Sequence, residues 1–201
     1  MVKAQKRSRS STANRERILK VATELFGSRG FDGTSVRNIA GKAGLSVAGM
    51  FHYFSSKEEI LNEIMLGFMD DAYKELMEIY KGNGDPRKKL DEVCKFYVER
   101  YAGHKNQLTI LNSEGKSLLP YHRKVFIDKQ RAYVEALKNL FDDLAKRKRL
   151  KPVNPSILAF IFFGMVHWTY SWYNPKAKGG IGPNRLGNIF SEVFLGGVLA
   201  E

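Results

Sequence analysis

Residues Thr34 to Lys57 read TSVRNIAGKAGLSVAGMFHYFSSK. Val36, Ile39, Ala40 and Ala43 recur at helical spacing, so the stretch opens as a short amphipathic helix. Gly44 follows where a left-handed residue ends that helix, and Leu45 supplies an apolar plug beside the turn. Ser46 is a natural cap for a second short helix, expected over Val47 to Phe54. Two short helices around a glycine turn are the layout of a helix-turn-helix, whose second helix enters the DNA major groove.

Charge agrees with a polyanion partner. Lys and Arg number 33 against 21 Asp and Glu, a formal net charge of +12. Such an excess suits nucleic acid and would also suit an anionic membrane surface. The first twenty residues carry Lys3, Lys6, Arg7, Arg9, Arg15, Arg17 and Lys20 against Glu16 alone. Residues 1–12 lack apolar periodicity and read as a disordered basic arm. Such an arm is either a solvated tail or a reach to phosphates and the minor groove. The lone cysteine, Cys94, leaves no internal disulfide and fits a reducing cytosol. The N-terminus lacks the apolar core of a signal peptide, so a cytoplasmic protein is expected. The most apolar run, Ile157 to Tyr170, is short for a membrane span and reads as a buried helix.

Outside the helix-turn-helix the periodicity is helical throughout. A first helix is expected over Asn14–Ser28, with Ile18, Val21, Ala22, Leu25 and Phe26 on one face. A fourth begins at Ser55 or Ser56, each with a glutamate at capping-box spacing, and runs to about Tyr80. Asp85-Pro86 starts a fifth, and a shorter one spans Asn106–Glu114. Further helices follow over Pro120–Lys146, Asn154-Pro155 to Tyr173, and Asn184–Leu199. The expectation is therefore all-α, with nine helices: a head at residues 13–57 and a larger domain at 58–201.

The head resembles that of the TetR/AcrR family of bacterial repressors. The resemblance runs through Leu25-Phe26-Gly27-Ser28-Arg29-Gly30-Phe31, Thr34, Ile39-Ala40, the turn Ala43 to Ser46, Phe51 to Phe54, and Lys57-Glu58-Glu59. It implies a transcription repressor that binds a double-stranded operator as a homodimer. It also implies that the last two long helices pair with their copies in a four-helix bundle. Ile189, Phe190, Val193, Phe194 and Val198 offer an apolar face for that pairing, with Gly196-Gly197 permitting close approach. The same face could instead close the monomer core.

Several residues are candidates for DNA contact. Thr34 reads as the cap of the second helix, with its hydroxyl and the helix N-terminus free for phosphate. Arg37 is placed to reach the backbone. Ser46 caps the recognition helix, and Val47, Ala48 and Gly49 sit at its start, where only apolar contacts with base edges are available. His52 and Tyr53 follow one turn on, and Lys57 is a phosphate contact by family resemblance. Met50, Phe51 and Phe54 read as core. Many relatives carry tyrosine where Phe51 stands, so a phosphate contact made by its hydroxyl is lost or moved here.

No catalytic constellation appears. His52, His104, His122 and His167 are scattered, none pairs with a carboxylate at metal-ligand spacing, and there is no nucleophile elbow or phosphate loop. No enzyme and no metal site are expected.

The run Phe160 to Tyr173, FIFFGMVHWTYSWY, is half aromatic. It fits plain core and dimer interface, or an apolar pocket with polar tips at Trp168, Tyr170, Trp172 and Tyr173. Trp168 to Pro175 with the glycines after it, and Pro120, Arg123 and Arg131-Ala132-Tyr133 before it, resemble the subgroup that controls fatty-acid, sterol and aromatic-acid degradation. That resemblance implies an acyl-CoA effector, with Arg123 and Arg131 as cations for its phosphates. A neutral hydrophobic or drug-like ligand is the alternative effector. A DNA-organising or protein-interaction role without any effector is the alternative function.

Overall fold

A computed structural model of the chain describes residues 2–147 and 149–199; the side chains of residues 2–10 and of Tyr170 lie outside that description. The basic side chains Lys3, Lys6, Arg7 and Arg9 of the N-terminal arm thus fall outside the described ones.

The described residues form ten α-helices: α1 Val2–Arg29, α2 Val36–Lys42, α3 Val47–Phe51, α4 Lys57–Lys81, α5 Pro86–Ala102, α6 Lys105–Ser113, α7 Pro120–Lys146, α8 Pro155–His167, α9 Thr169–Trp172 and α10 Pro183–Val198. The one-turn α9 continues α8 past Trp168, so α8 and α9 together are the single helix expected over residues 155–173. The all-α plan of nine helices is thereby met. One antiparallel bridge, Leu150 to Leu199, ties the α7–α8 loop to the end of α10.

Helix ends follow the sequence signals. Asn154 accepts from the Ser156 amide at 2.9 Å and Pro155 opens α8. Asp85-Pro86 opens α5, but the Asp85 carboxylate pairs with Arg149 instead of capping. The Ser56 hydroxyl accepts from the Glu59 amide at 3.1 Å, so Ser56 rather than Ser55 starts α4. α1 begins at Val2, well before Asn14, and so runs through the segment expected as a disordered arm. Ala, Gln, Lys and Arg are good helix formers and extend a helix without an apolar face.

The chain divides into two compact units. The first comprises residues 1–68 and 109–126. Its core takes Ile18, Ala22 and Phe26 from α1, Ile39 and Ala40 from α2, Met50 from α3, and Ile60, Leu61 and Met65 from α4. It thus extends beyond Lys57 and recruits a segment from the middle of the chain.

The second unit comprises residues 69–108 and 127–201. Its interior is aromatic. The Tyr97 ring meets Tyr101 in a stack at 5.5 Å and meets Phe162, Phe163 and Tyr133 edge-on. α10 approaches α5 closely: a Cβ on Gly187 would lie 3.3 Å from the Lys95 Cα. Cys94 is buried on α5, and desolvation pushes its thiol up to about 12. No described helix is long and apolar enough to cross a membrane.

Candidate nucleic-acid interface

The head is built around two short helices that cannot hold themselves. Helices of 7 and 5 residues are far below the length at which an isolated helix persists. Caps and packing hold them instead. Ser35 caps α2, accepting from the Asn38 amide at 3.1 Å while the Asn38 side chain accepts from the Ser35 amide at 3.0 Å. Ala43 ends α2 and Gly44 takes φ +66°. The Leu45 amide then returns to the Ala40 carbonyl at 2.9 Å, closing the turn. The Ser46 hydroxyl accepts from the Gly49 amide at 2.9 Å and starts α3.

This geometry moves two sequence assignments. Thr34 does not cap α2. It is 1% exposed, and its hydroxyl donates to the Gly30 carbonyl at 2.9 Å, so the cap passes to Ser35 and no hydroxyl proton is left for phosphate. Phe51 is not core: it is 48% exposed, while Met50 and Phe54 are buried. α3 stops at Phe51 rather than Phe54. Its outer face shows Val47, Ala48, Phe51 and then His52 to solvent, with Gly49 half-buried behind the Ser46 cap.

The cations around this face differ in what they are free to do. Arg37 is exposed and makes no ion pair among the described residues. Lys42 pairs with Glu24 at 2.8 Å, and that hydrogen bond and charge hold the Glu24 carboxyl below its usual range. Arg15 makes a two-pronged pair with Glu63 and lies over the Phe54 ring at 4.7 Å. The Tyr53 hydroxyl accepts from Asn14 at 2.9 Å and keeps its own proton to donate.

Lys57 is turned inward. Its Nζ donates to the carbonyls of Phe31 and Thr34 at 2.9 and 3.0 Å and sits 3.9 Å from the centre of the Phe31 ring. The opposite side of Phe31 is held by Glu114, whose carboxylate accepts from the Phe31 amide at 3.2 Å and from Ser117 at 2.9 Å. The loop between α1 and α2 is thus clamped on both its N–H and its C=O. Glu114 lies 83 positions from Phe31, and no local pattern announces that contact.

The effector candidates differ in exposure, in partners and in the unit they belong to. Trp168 and Trp172 are 63% and 53% exposed, whereas Tyr173 is buried and donates to the Ile181 carbonyl at 2.9 Å. Arg131 is exposed and pairs with Asp128 at 3.6 Å. Arg123 belongs to the first unit, where its guanidinium donates to the carbonyls of Lys116 and Leu118. Other polar groups of the second unit converge on its aromatic interior. Tyr97, Tyr101, Tyr133 and His167 surround a ring cluster with Phe162 and Phe163, and the buried Tyr97 hydroxyl has no hydrogen-bond partner among the described residues. A shallow groove between α5 and α10, lined by Arg87, Asp91, Lys95, Asn188, Ser191 and Glu192, is charged rather than aromatic.

Two helices expose apolar stripes. Ile157, Phe160 and Ile161 face solvent on α8, and Ile189 and Val193 on α10. Each stripe continues at helical spacing into glycine: a Cβ on Gly164, Gly196 or Gly197 would meet nothing within 4 Å. Phe194 and Val198, expected on this face, are buried instead, with the Phe194 ring packed on Phe141 and Phe162.

Comparison with known proteins agrees with this architecture. Residues 18–64 match the family model described as bacterial regulatory proteins of the tetR family, and residues 83–198 match the tetracyclin repressor-like C-terminal domain. The chain is 25% identical over 191 residues to the HTH-type transcriptional repressor KstR2 of Mycobacterium tuberculosis, covering 94% of each chain. The solved structure of the ketosteroid transcriptional regulator KstR2 of that organism superposes with a TM-score of 0.85 at 23% identity, over 93% of this chain and 95% of that one. The structure of AibR in complex with isovaleryl coenzyme A and operator DNA superposes with a TM-score of 0.80 at 25% identity, over 90% and 97%. A capped, glycine-turned helix pair followed by a matching C-terminal domain places this chain in the TetR family of DNA-binding transcriptional regulators.

Proposed function

We propose that the protein is a homodimeric repressor that binds a near-palindromic operator and releases it when an acyl-CoA binds the second unit. The observation that carries the DNA half is the outward face of α3, held in place by Ser46 and Gly44, with Arg37 exposed on α2 and Tyr53 just past the end of α3. A single short head reads few base pairs, and a twofold dimer doubles the contact. The exposed stripes on α8 and α10 supply the surface for that pairing. The similarity to AibR, solved with isovaleryl coenzyme A and operator DNA, supports the effector class.

A neutral ligand is the second reading, and one observation favours it. The interior around Tyr97 is aromatic, and burial keeps its tyrosines and histidine uncharged: it raises the hydroxyl pKa of Tyr97 and Tyr101 and lowers the imidazole pKa of His167 to about 4, while the Arg100 guanidinium beside them is paired with Asp71 and Glu75. Such an interior accepts an acyl chain or a sterol-like skeleton, but not coenzyme phosphates. An acyl-CoA would have to keep its nucleotide outside.

Calorimetry with acyl-CoA thioesters beside their free acids separates the two. Releasing DNA about a hundredfold requires the ligand to prefer the released state by about 2.7 kcal/mol. Tight binding of the thioester alone, with loss of operator affinity, is expected. Equal binding of the free acid transfers the role to the neutral class.

A further inference from the structure

Phe51 is the largest side chain on the outer face of α3. It stands one turn after Val47, at helical neighbour spacing, and the two are 48% and 36% exposed. The head has ample use for aromatic rings inside: Phe26, Phe31 and Phe54 are all buried. A phenyl group left half in water on the same short helix therefore contributes little to the fold.

The chemistry of this helix is as telling as its shape. Between Lys42 and Lys57 the sequence carries no lysine, arginine, aspartate, glutamate, asparagine or glutamine. The two-pronged pairs that distinguish guanine by Arg or Lys and adenine by Asn or Gln are thus absent from α3. The hydroxyl of Ser46 is engaged as the cap, and Met50 points into the core. What remains outward is apolar, apart from His52. The base-edge feature that an apolar side chain distinguishes in the major groove is the C5-methyl group of thymine.

We infer that Phe51, with Val47 beside it, is the specificity-determining surface of the head and selects thymine by its methyl group. This rests on the operator reading above and adds to it a class of half-site: one in which thymine methyls, rather than guanine or adenine hydrogen-bonding edges, face the recognition helix.

The test uses the full chain and a duplex recovered by selection from a random pool. Each thymine of the half-site is replaced singly by deoxyuridine, which deletes the methyl and leaves base pairing intact. At one position or more the wild-type protein should bind about fourfold more weakly, the worth of one buried methyl. Phe51→Ala should lower affinity for the thymine duplex and bind thymine and uracil duplexes alike at that position. Phe51→Leu, which keeps an apolar side chain, should retain part of the discrimination. The salt dependence should not change in either variant, because no phosphate contact is removed. Wild-type binding that ignores uracil at every position overturns this inference alone, as does full discrimination by Phe51→Ala. A selection that returns no twofold motif overturns the operator reading and this inference with it.

Discussion

Lys57 shows how one side chain can serve the fold where a polyanion contact was expected. Two carbonyls and a ring hold its ammonium at the α1–α2 loop. Lys57→Ala should therefore destabilise the chain by about 1–3 kcal/mol, since it strands two partly buried acceptors. Denaturant unfolding of the intact protein measures this. Unchanged stability with uniformly weaker DNA binding would return Lys57 to the phosphate backbone. His167 makes a second prediction at this scale. It is half-buried between the rings of Tyr101 and Phe163, and desolvation lowers its pKa to about 4. The unfolded chain takes up the proton near pH 6.5, the folded one only near 4, so stability falls as pH drops through that window. The loss attributable to His167 should be about 1–2 kcal/mol between roughly pH 7 and pH 5. His167→Gln should remove that part of the pH slope in denaturant titrations at the two pH values.

Among the elements, α3 is the one whose stability rests most on its ends. Ser46→Ala removes the bond to the Gly49 amide and should cost about 1 kcal/mol, with loss of operator affinity at all sequences. Gly44→Ala, at φ +66°, should cost about as much through backbone strain alone. Circular dichroism melting and binding titrations of both variants test the pair; a wild-type melt for Gly44→Ala would contradict the turn geometry. These two positions were legible because their chemistry is local: a serine before an apolar run and a glycine after one carry their own explanation. The choice between Thr34 and Ser35 was not legible. Both are good caps, and the outcome depends on the Gly30 carbonyl claiming the Thr34 hydroxyl. Phe51 was ambiguous for a related reason. Val47–Phe51 and Met50–Phe54 are both apolar pairs four apart, and only packing against α1 and α2 decides which turns inward. Glu114 was invisible, since its partner lies far away in the chain. The exposure of Trp168 and Trp172 and the pairing of Arg131 with Asp128 likewise follow from packing that a family likeness does not fix.

At the scale of the molecule, the stripes on α8 and α10 predict the assembly. Phe160 and Val193 are 63% and 62% exposed, so a charge at either is harmless to the single chain and harmful to a dimer. Phe160→Lys with Val193→Lys should give folded monomers by light scattering, where the wild-type protein should be dimeric at micromolar concentration. A monomeric wild-type protein would rule the pairing out. Phe194→Lys is a different experiment, because Phe194 is core, and it should unfold the second unit. The burial of Cys94 has a consequence for measurement. With one thiol in the chain, sealed on α5 and held protonated, an alkylating reagent has nothing to attack until the second unit opens. The rate of modification is then a clock for opening, readable by mass without any attached label. A compound that occupies the folded unit slows that clock by the factor one plus its concentration over its dissociation constant. Effectors can accordingly be ranked on the protein alone, before any operator is known.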